Sequence, residues 1–256
     1  MAAITRELLR AQMLLLTPLL AQAQQPLPVL PATALAEHRF SSMAIGPVAA
    51  PWRYAGLPGQ KFPLTRFAIT QSGDTPVLRM QANASYGNLV FDMGGARLSA
   101  DAQLRWRWQL ERAPDGTDLR RKEGDDAPLK VCALFDMALQ GMSFGEQTQL
   151  RMARAMSAEA LPAATLCYVW DRQLPLGSEL PNVFSARVHY MVVSRGPALP
   201  GQWLTLERNL ANDFLRAFGH ESAVVPPLLA LAVGADADNT SSSSLGYIGD
   251  LSLSQP

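Results

Sequence analysis

One stretch limits the fold more tightly than any other. Between Gln103 and Glu111, the residues Leu104, Trp106, Trp108 and Leu110 alternate with Arg105, Arg107, Gln109 and Glu111. Successive side chains of an extended strand point to opposite faces, so this period of two puts both tryptophans on a buried face and both arginines on a wet one. A helix would scatter the same residues around its circumference. Further short runs of β-branched and aromatic residues, bounded by turn signals, fall at 64–70, 76–81, 88–93, 186–193, 202–207, 228–233 and 245–253. Val131 to Phe135 and Leu166 to Trp170, within runs at 129–137 and 165–171, are apolar on both faces, as central strands are. Short strands without alternating long helices predict an all-β fold: a two-sheet antiparallel jelly-roll-like β-sandwich with one or two short helices in loops. Those helices are expected at 146–161, stopped by Pro162, and at 210–218, closed by Gly219.

The start of the chain has the layout of a secretory signal peptide over residues 1–23. Arg6 and Arg10 precede a short apolar centre at 13–20, and Ala21-Gln22-Ala23 fits the small-x-small cleavage pattern. A Pro- and Ala-rich lead-in follows at 24–38, then a single β-sandwich domain over 39–256. No later apolar run is long enough to span a bilayer; the best, 223–234, is broken by Pro226-Pro227. The mature chain is therefore expected in the periplasm or secreted, without an integral membrane span. Its 22 basic and 22 acidic residues cancel, which removes the field that would draw it onto nucleic acid. Three histidines and two cysteines fall short of a zinc finger or an iron–sulfur site. In an oxidising compartment Cys132 and Cys167, on two predicted strands, are expected to form a disulfide, with two buried thiols as the alternative.

Four features bear on chemistry. Gly141-Met142-Ser143-Phe144-Gly145 fits the nucleophile-elbow pattern, and Asp171 or Asp213 with His189 or His220 would complete a triad in the right chain order. The elbow needs a parallel doubly wound sheet, which the rest of the chain lacks, so a glycine-flanked loop is the preferred reading. Asp236-Ala237-Asp238-Asn239-Thr240 resembles the start of a calcium loop, but Ser241 and Tyr247 stand where an EF-hand needs Gly and Glu. A different oxygen-rich calcium site, helped by Asp250, stays open; no other cofactor is indicated. The third is Arg120-Arg121-Lys122-Glu123-Gly124-Asp125-Asp126, a mixed-charge connection between the arginine-lined strand and a central one. If Arg105 and Arg107 face a cleft, Lys122, Asp125 and Asp126 stand at its rim. Last, Trp170 is one of several aromatics that can offer a stacking platform to a sugar ring.

Several stretches together resemble the bacterial domain-of-unknown-function family numbered 3047. They are Leu104-Arg105-Trp106-Arg107-Trp108, Asp118 to Asp126, Tyr168-Val169-Trp170, Glu207-Arg208-Asn209-Leu210 with Asp213-Phe214 and Phe218-Gly219, Asp236 to Thr240, and Tyr247-Ile248-Gly249-Asp250-Leu251. The resemblance implies an exported sandwich of the galactose-binding type and transfers no catalytic residue. The leading expectation is a non-catalytic module that binds a carbohydrate or another small polar ligand. Arg107, Lys122, Asp125 and Asp126 would meet hydroxyls or anionic groups, and Trp170 would stack. Asp236, Asp238, Asn239 and Asp250 would anchor the far loop or hold a cation. A glycan hydrolase with paired carboxylates in the same cleft is the first alternative, and a module that binds an envelope protein is the second.

Overall fold

The tryptophan–arginine alternation folds as one strand, β5 (Gln103–Arg112), with Leu104, Trp106, Trp108 and Leu110 all buried and Arg105 exposed. The computed structural model describes residues 32–57, 61–156 and 161–255, so the expected signal peptide lies outside the described residues. Two sheets stack face to face. The seven-stranded sheet runs β1 (Arg53–Ala55), β4 (Tyr86–Ala96), β11 (Leu228–Asp236), β6 (Lys130–Phe135), β7 (Ala164–Asp171), β9 (Ser185–Arg195), β8 (Glu179–Asn182). The six-stranded sheet runs β10 (Leu204–Asn209), β5, β12 (Ser243–Ile248), β3 (Thr75–Asn83), β2 (Arg66–Ser72), with β13 (Ser252–Ser254) also paired to β5.

Among the described residues the strands all pair antiparallel except β7 with β9, which run parallel from Thr165 opposite Val188 to Asp171 opposite Arg195. The chain leaves β7, forms β8 at the sheet edge, turns at Asn182–Ser185 and inserts β9 between them. The sandwich is thus antiparallel with one parallel seam. β8 contains Pro181 and β1 has three residues, so neither gives a readable strand signal; proline is tolerated because β8 is an edge. The run expected as one strand at 245–253 is two, interrupted at Gly249–Leu251. Ser243 and Ser244 open β12.

Between the sheets lies an aromatic-rich core. Trp106 of one sheet meets Tyr168 of the other at 5.2 Å between ring centroids. Phe135, Phe214 and Phe218 form a second stack. The last two come from α3 (Leu210–Phe218), capped by Asn209, whose side chain accepts from the Asn212 N–H at 2.8 Å. The Tyr168 hydroxyl donates to Asp213 at 2.8 Å, and Arg208 grips both oxygens of the same carboxylate. Asp213 is therefore a structural anchor. The expected lead-in also holds a short helix, α1 (Ala32–Glu37), with Leu35 buried.

Helix α2 (Phe144–Met156) explains the elbow-like motif. Ser143 and Glu146 form a reciprocal capping box: the Ser143 hydroxyl and N–H donate to Glu146 Oε2 at 2.7 and 3.1 Å, and the Glu146 N–H reaches Ser143 Oγ at 3.4 Å. Here Ser143 caps a helix. His189 faces Glu179, His220 faces Glu221, and Asp171 accepts from the Gln173 and Leu174 N–H groups, so no triad assembles.

Candidate functional site

The face of the seven-stranded sheet turned away from the main core carries a second, smaller apolar cluster. Val90, Cys132, Cys167, Val169, Tyr190, Val192, Ala230 and Ala232 form its floor, joined by Leu119 and Ala127 from the connection between β5 and β6. Cys132 and Cys167 stand directly opposite in register and are joined as a disulfide, S–S 2.03 Å. At one end this apolar floor gives way to charge.

Lys130, the first residue of β6, is nearly fully buried, and its Nζ lies 2.5 Å from Asp236 Oδ2 at the end of β11. The other oxygen of Asp236 accepts from the Ala127 N–H. The ammonium also sits over the ring of Tyr86, 4.3 Å from its centroid. Room for the lysine stem comes from Gly234, opposite Lys130 on β11: a β-carbon there would stand 2.7 Å from Lys130 Cε. Burial pulls the Lys130 ammonium down, but the charge and hydrogen bond of Asp236, together with Tyr86 and Asp125, outweigh it and raise the group above the ordinary lysine value.

Around this pair three more carboxylates converge. Asp126 accepts from the Asn239 N–H at 3.0 Å and from the Thr240 N–H and hydroxyl at 2.8 and 2.5 Å, which ties the charged connection to the loop after β11. Asp125 Oδ2 accepts from Asn182 Nδ2 at 2.5 Å, and the same amide donates to the Tyr190 hydroxyl at 2.8 Å. Asp125 Oδ1 and Asp238 Oδ1 are buried with no hydrogen-bond partner among the described residues. Burial, then repulsion from Asp236, raises the Asp125 carboxyl to about 6, against the opposing pull of Asn182, Tyr190 and Lys130. Asp238 is likewise raised to about 6, by burial and then by Asp236 and Asp126. Two carboxyls poised to change charge near neutrality share one corner with a fixed ammonium. Half-buried Tyr86, Asn88, Asn182, Asn239 and Thr240 flank it, and Lys122, exposed, lies 5.5 Å from the Phe184 ring centroid.

Of the residues singled out from sequence, Asp125, Asp126, Asp236, Asp238 and Asn239 come together here, with Lys122 on the adjoining turn. Arg107 and Asp250 do not: they lie on the outer face of the six-stranded sheet, where Asp250 accepts from the Ser41 N–H and hydroxyl at 2.9 and 2.6 Å. Trp170 is buried in the main core, 4% exposed, and offers no stacking surface, because its position in β7 points it between the sheets. The calcium reading is corrected as well. Asp236 is committed to Lys130 and Ala127, Asp250 sits elsewhere, and among the described residues no group of three His, Cys, Asp or Glu side chains is placed to hold a metal ion.

Residues 50–252 match the family described as "Protein of unknown function (DUF3047)". The chain belongs to the DUF3047 family. No curated protein matches it. Among solved structures, this DUF3047 chain is similar to the endoglucanase cel12A from Rhodothermus marinus at 13% identity, covering 83% of this chain and 99% of that one, TM-score 0.40. It is also similar to endoglucanase 3 from family GH12 of Trichoderma harzianum at 9% identity, covering 81% and 99%, TM-score 0.38. A xylan-binding module CBM15 aligns at 11% identity over 83% and 96%, TM-score 0.29.

Lys130, Asn182, Tyr86 and Gly234 were not apparent from sequence as site residues of this DUF3047 chain; Tyr190 is one of the aromatics the sequence offers as a stacking platform. One signal was available: a lysine opening a strand that is otherwise apolar on both faces must either reach solvent or find a buried anion. The others come from β4, β8 and β11 of the same sheet, an arrangement that no local pattern encodes.

Proposed function

We propose that the chain is an exported carbohydrate-binding β-sandwich whose ligand docks at the Asp125–Asp238 corner of the seven-stranded sheet. The observation that carries this reading is the pair of buried carboxylate oxygens on Asp125 and Asp238 that lack a partner beside a fixed ammonium. An unsatisfied buried acceptor costs about 1–3 kcal/mol, and a sugar hydroxyl or an ordered water carrying one inward removes that cost. Tyr86, Asn88, Asn182, Asn239 and Thr240 add donors and acceptors around the corner, and Lys122 with Phe184 frames one side. Export is supported by the expected signal peptide and by the Cys132–Cys167 bond. Among the described residues no helix is long and apolar enough to cross a membrane.

A hydrolase is the second reading, favoured by one observation: Asp125 and Asp238 both titrate near 6, the range in which a carboxyl serves as general acid or base. Proton NMR of soluble glycans mixed with the protein separates the two. Broadened sugar signals that sharpen with Asp125→Asn or Asp238→Asn support binding at this corner. New reducing-end signals lost in the same variants would make the protein an enzyme. Sugar signals unchanged across a broad glycan panel would overturn both readings.

A further inference from the structure

The outer face of the six-stranded sheet carries a separate depression of about 270 Å³, where Ser41, Arg105, Arg107, Thr205, Asp250 and Ser252 stand beside Pro76 and Trp106. Arg107 is the organised element in it. Its carbonyl accepts from the Gly249 N–H at 2.8 Å, and its side chain then crosses the bare face of that glycine. A β-carbon on Gly249 would stand 2.7 Å from Arg107 Cγ and 2.8 Å from Nε, so only glycine lets the arginine take this course. The guanidinium ends over the ring of Trp203, 4.7 Å from its centroid.

Arg105, two residues earlier on the same face, is paired with Glu207 at 2.8 Å. Arg107 has no ion-pair partner among the described residues, although the fold takes care to fix it. A guanidinium resting over an aromatic ring still offers N–H donors at its edge, and that planar fork matches a carboxylate in two-point contact. The rest of the depression asks for hydroxyls. Thr205 stands opposite Arg107 on β10, Ser252 stands opposite Arg105 on β13, and Asp250 contributes an acceptor oriented by Ser41. The volume is near the lower end of the roughly 300–1,000 Å³ range of small-molecule sites, which suits a single ring.

We infer that this depression binds a carboxylate-bearing sugar unit, a uronic acid, with its carboxylate on Arg107 and its ring hydroxyls on Asp250, Thr205 and Ser252. The site does not depend on the acidic corner, which lies on the opposite sheet. A ligand with hydroxyls and no carboxylate leaves the arginine unused. A carboxylate with no hydroxyls leaves the Asp250 side unused.

The test is a titration of the isotopically labelled protein followed through the Trp203 indole N–H, assigned by its loss in Trp203→Phe. Glucuronic and galacturonic acids should shift this signal saturably, with glucose, galactose and acetate each weaker by roughly tenfold or more. Arg107→Met should abolish the shift, and Arg107→Lys, which keeps the charge but not the fork, should weaken it. Gly249→Ala should act like Arg107→Met by displacing the arginine, and Ser143→Ala, at the cap of α2, should leave the shift unchanged. An indole signal that ignores uronic acids would overturn the inference, as would acetate or glucose acting equally well. Loss of the uronate response in Asp125→Asn would also overturn it, by moving the contact to the opposite sheet. The reading of the acidic corner stands or falls separately, on its own variants.

Discussion

Lys130 Nζ and Asp236 Oδ2 meet at 2.5 Å with side-chain exposures of 5% and 4%, joining the start of one central strand to the end of its neighbour out of reach of water. Removing one partner of such a pair strands the other as an uncompensated buried charge, a loss of about 3–5 kcal/mol. Lys130→Met and Asp236→Leu should each lower the unfolding free energy measured in urea by that amount, whereas the double variant should cost much less than their sum. A single variant costing under about 1 kcal/mol would mean the pair is solvated and screened.

The two raised carboxyls give the stability an unusual pH dependence. Asp125 and Asp238 hold their protons to about 6 in the folded chain, against a model-peptide value of 3.8. Between these two values the folded state binds more protons than the unfolded one, so these groups make stability fall as pH rises, and the penalty is constant above about 6. Asp125→Asn and Asp238→Asn remove the penalty. Relative to the unsubstituted protein, each should be more stable near pH 7 than near pH 4. Urea unfolding at both pH values reads the difference, and an equal effect at both would show that neither carboxyl is raised.

Ser143→Ala deletes the capping box and nothing else. The expected loss is about 1 kcal/mol, with α2 fraying at its first turn. Glycan binding at the acidic corner should be unchanged. A selective loss of any hydrolytic activity, with stability intact, would restore the nucleophile reading of the Gly-x-Ser-x-Gly motif.

The Cys132–Cys167 bond closes a sequence separation of 35 residues that includes the β6–β7 connection and α2. On loop-closure grounds its removal by Cys132→Ala/Cys167→Ala should cost ~3–4 kcal/mol. Because both sulfurs lie in the apolar floor beside the acidic corner, the same variant should also weaken ligand binding there. Calorimetric unfolding and the glycan titration measure the two effects; an unchanged unfolding temperature would remove the structural role.

The parts of this fold legible in the sequence are those coded locally. The Trp106–Trp108 alternation marks β5, and the doubly apolar runs around Cys132 and Cys167 mark two central strands. Gly219 closes α3. The acidic corner was half legible: Asp125, Asp126, Asp236 and Asp238 stood out as dense oxygen clusters, and the structure brings them together through Asn239 and Thr240. What organises them was hidden, because Lys130 becomes an anchor only once β11 lies beside β6, a pairing across about a hundred residues. Arg107 and Asp250 were assigned to the same cleft because nothing local says which outer face a strand presents. Trp170 misled for a related reason: in a strand apolar on both sides, period two does not distinguish inward from outward.

Among the described residues β11 is also the only link between β4 and β6, so the seven-stranded sheet is two separate pieces until residues 228–236 take their place. A chain that emerges amino-terminus first presents β4 and β6 with open edges until β11 follows them. Closure of the sheet waits for Leu228–Asp236, which comes after β6, β7, β8 and β9 in the chain. The acidic corner is completed in the same event, since Asp236 ends that segment. A chain stopped short of β11 would hold two unjoined strand edges and an unneutralised lysine, the condition under which β-proteins pair with copies of themselves instead of with their own missing strand.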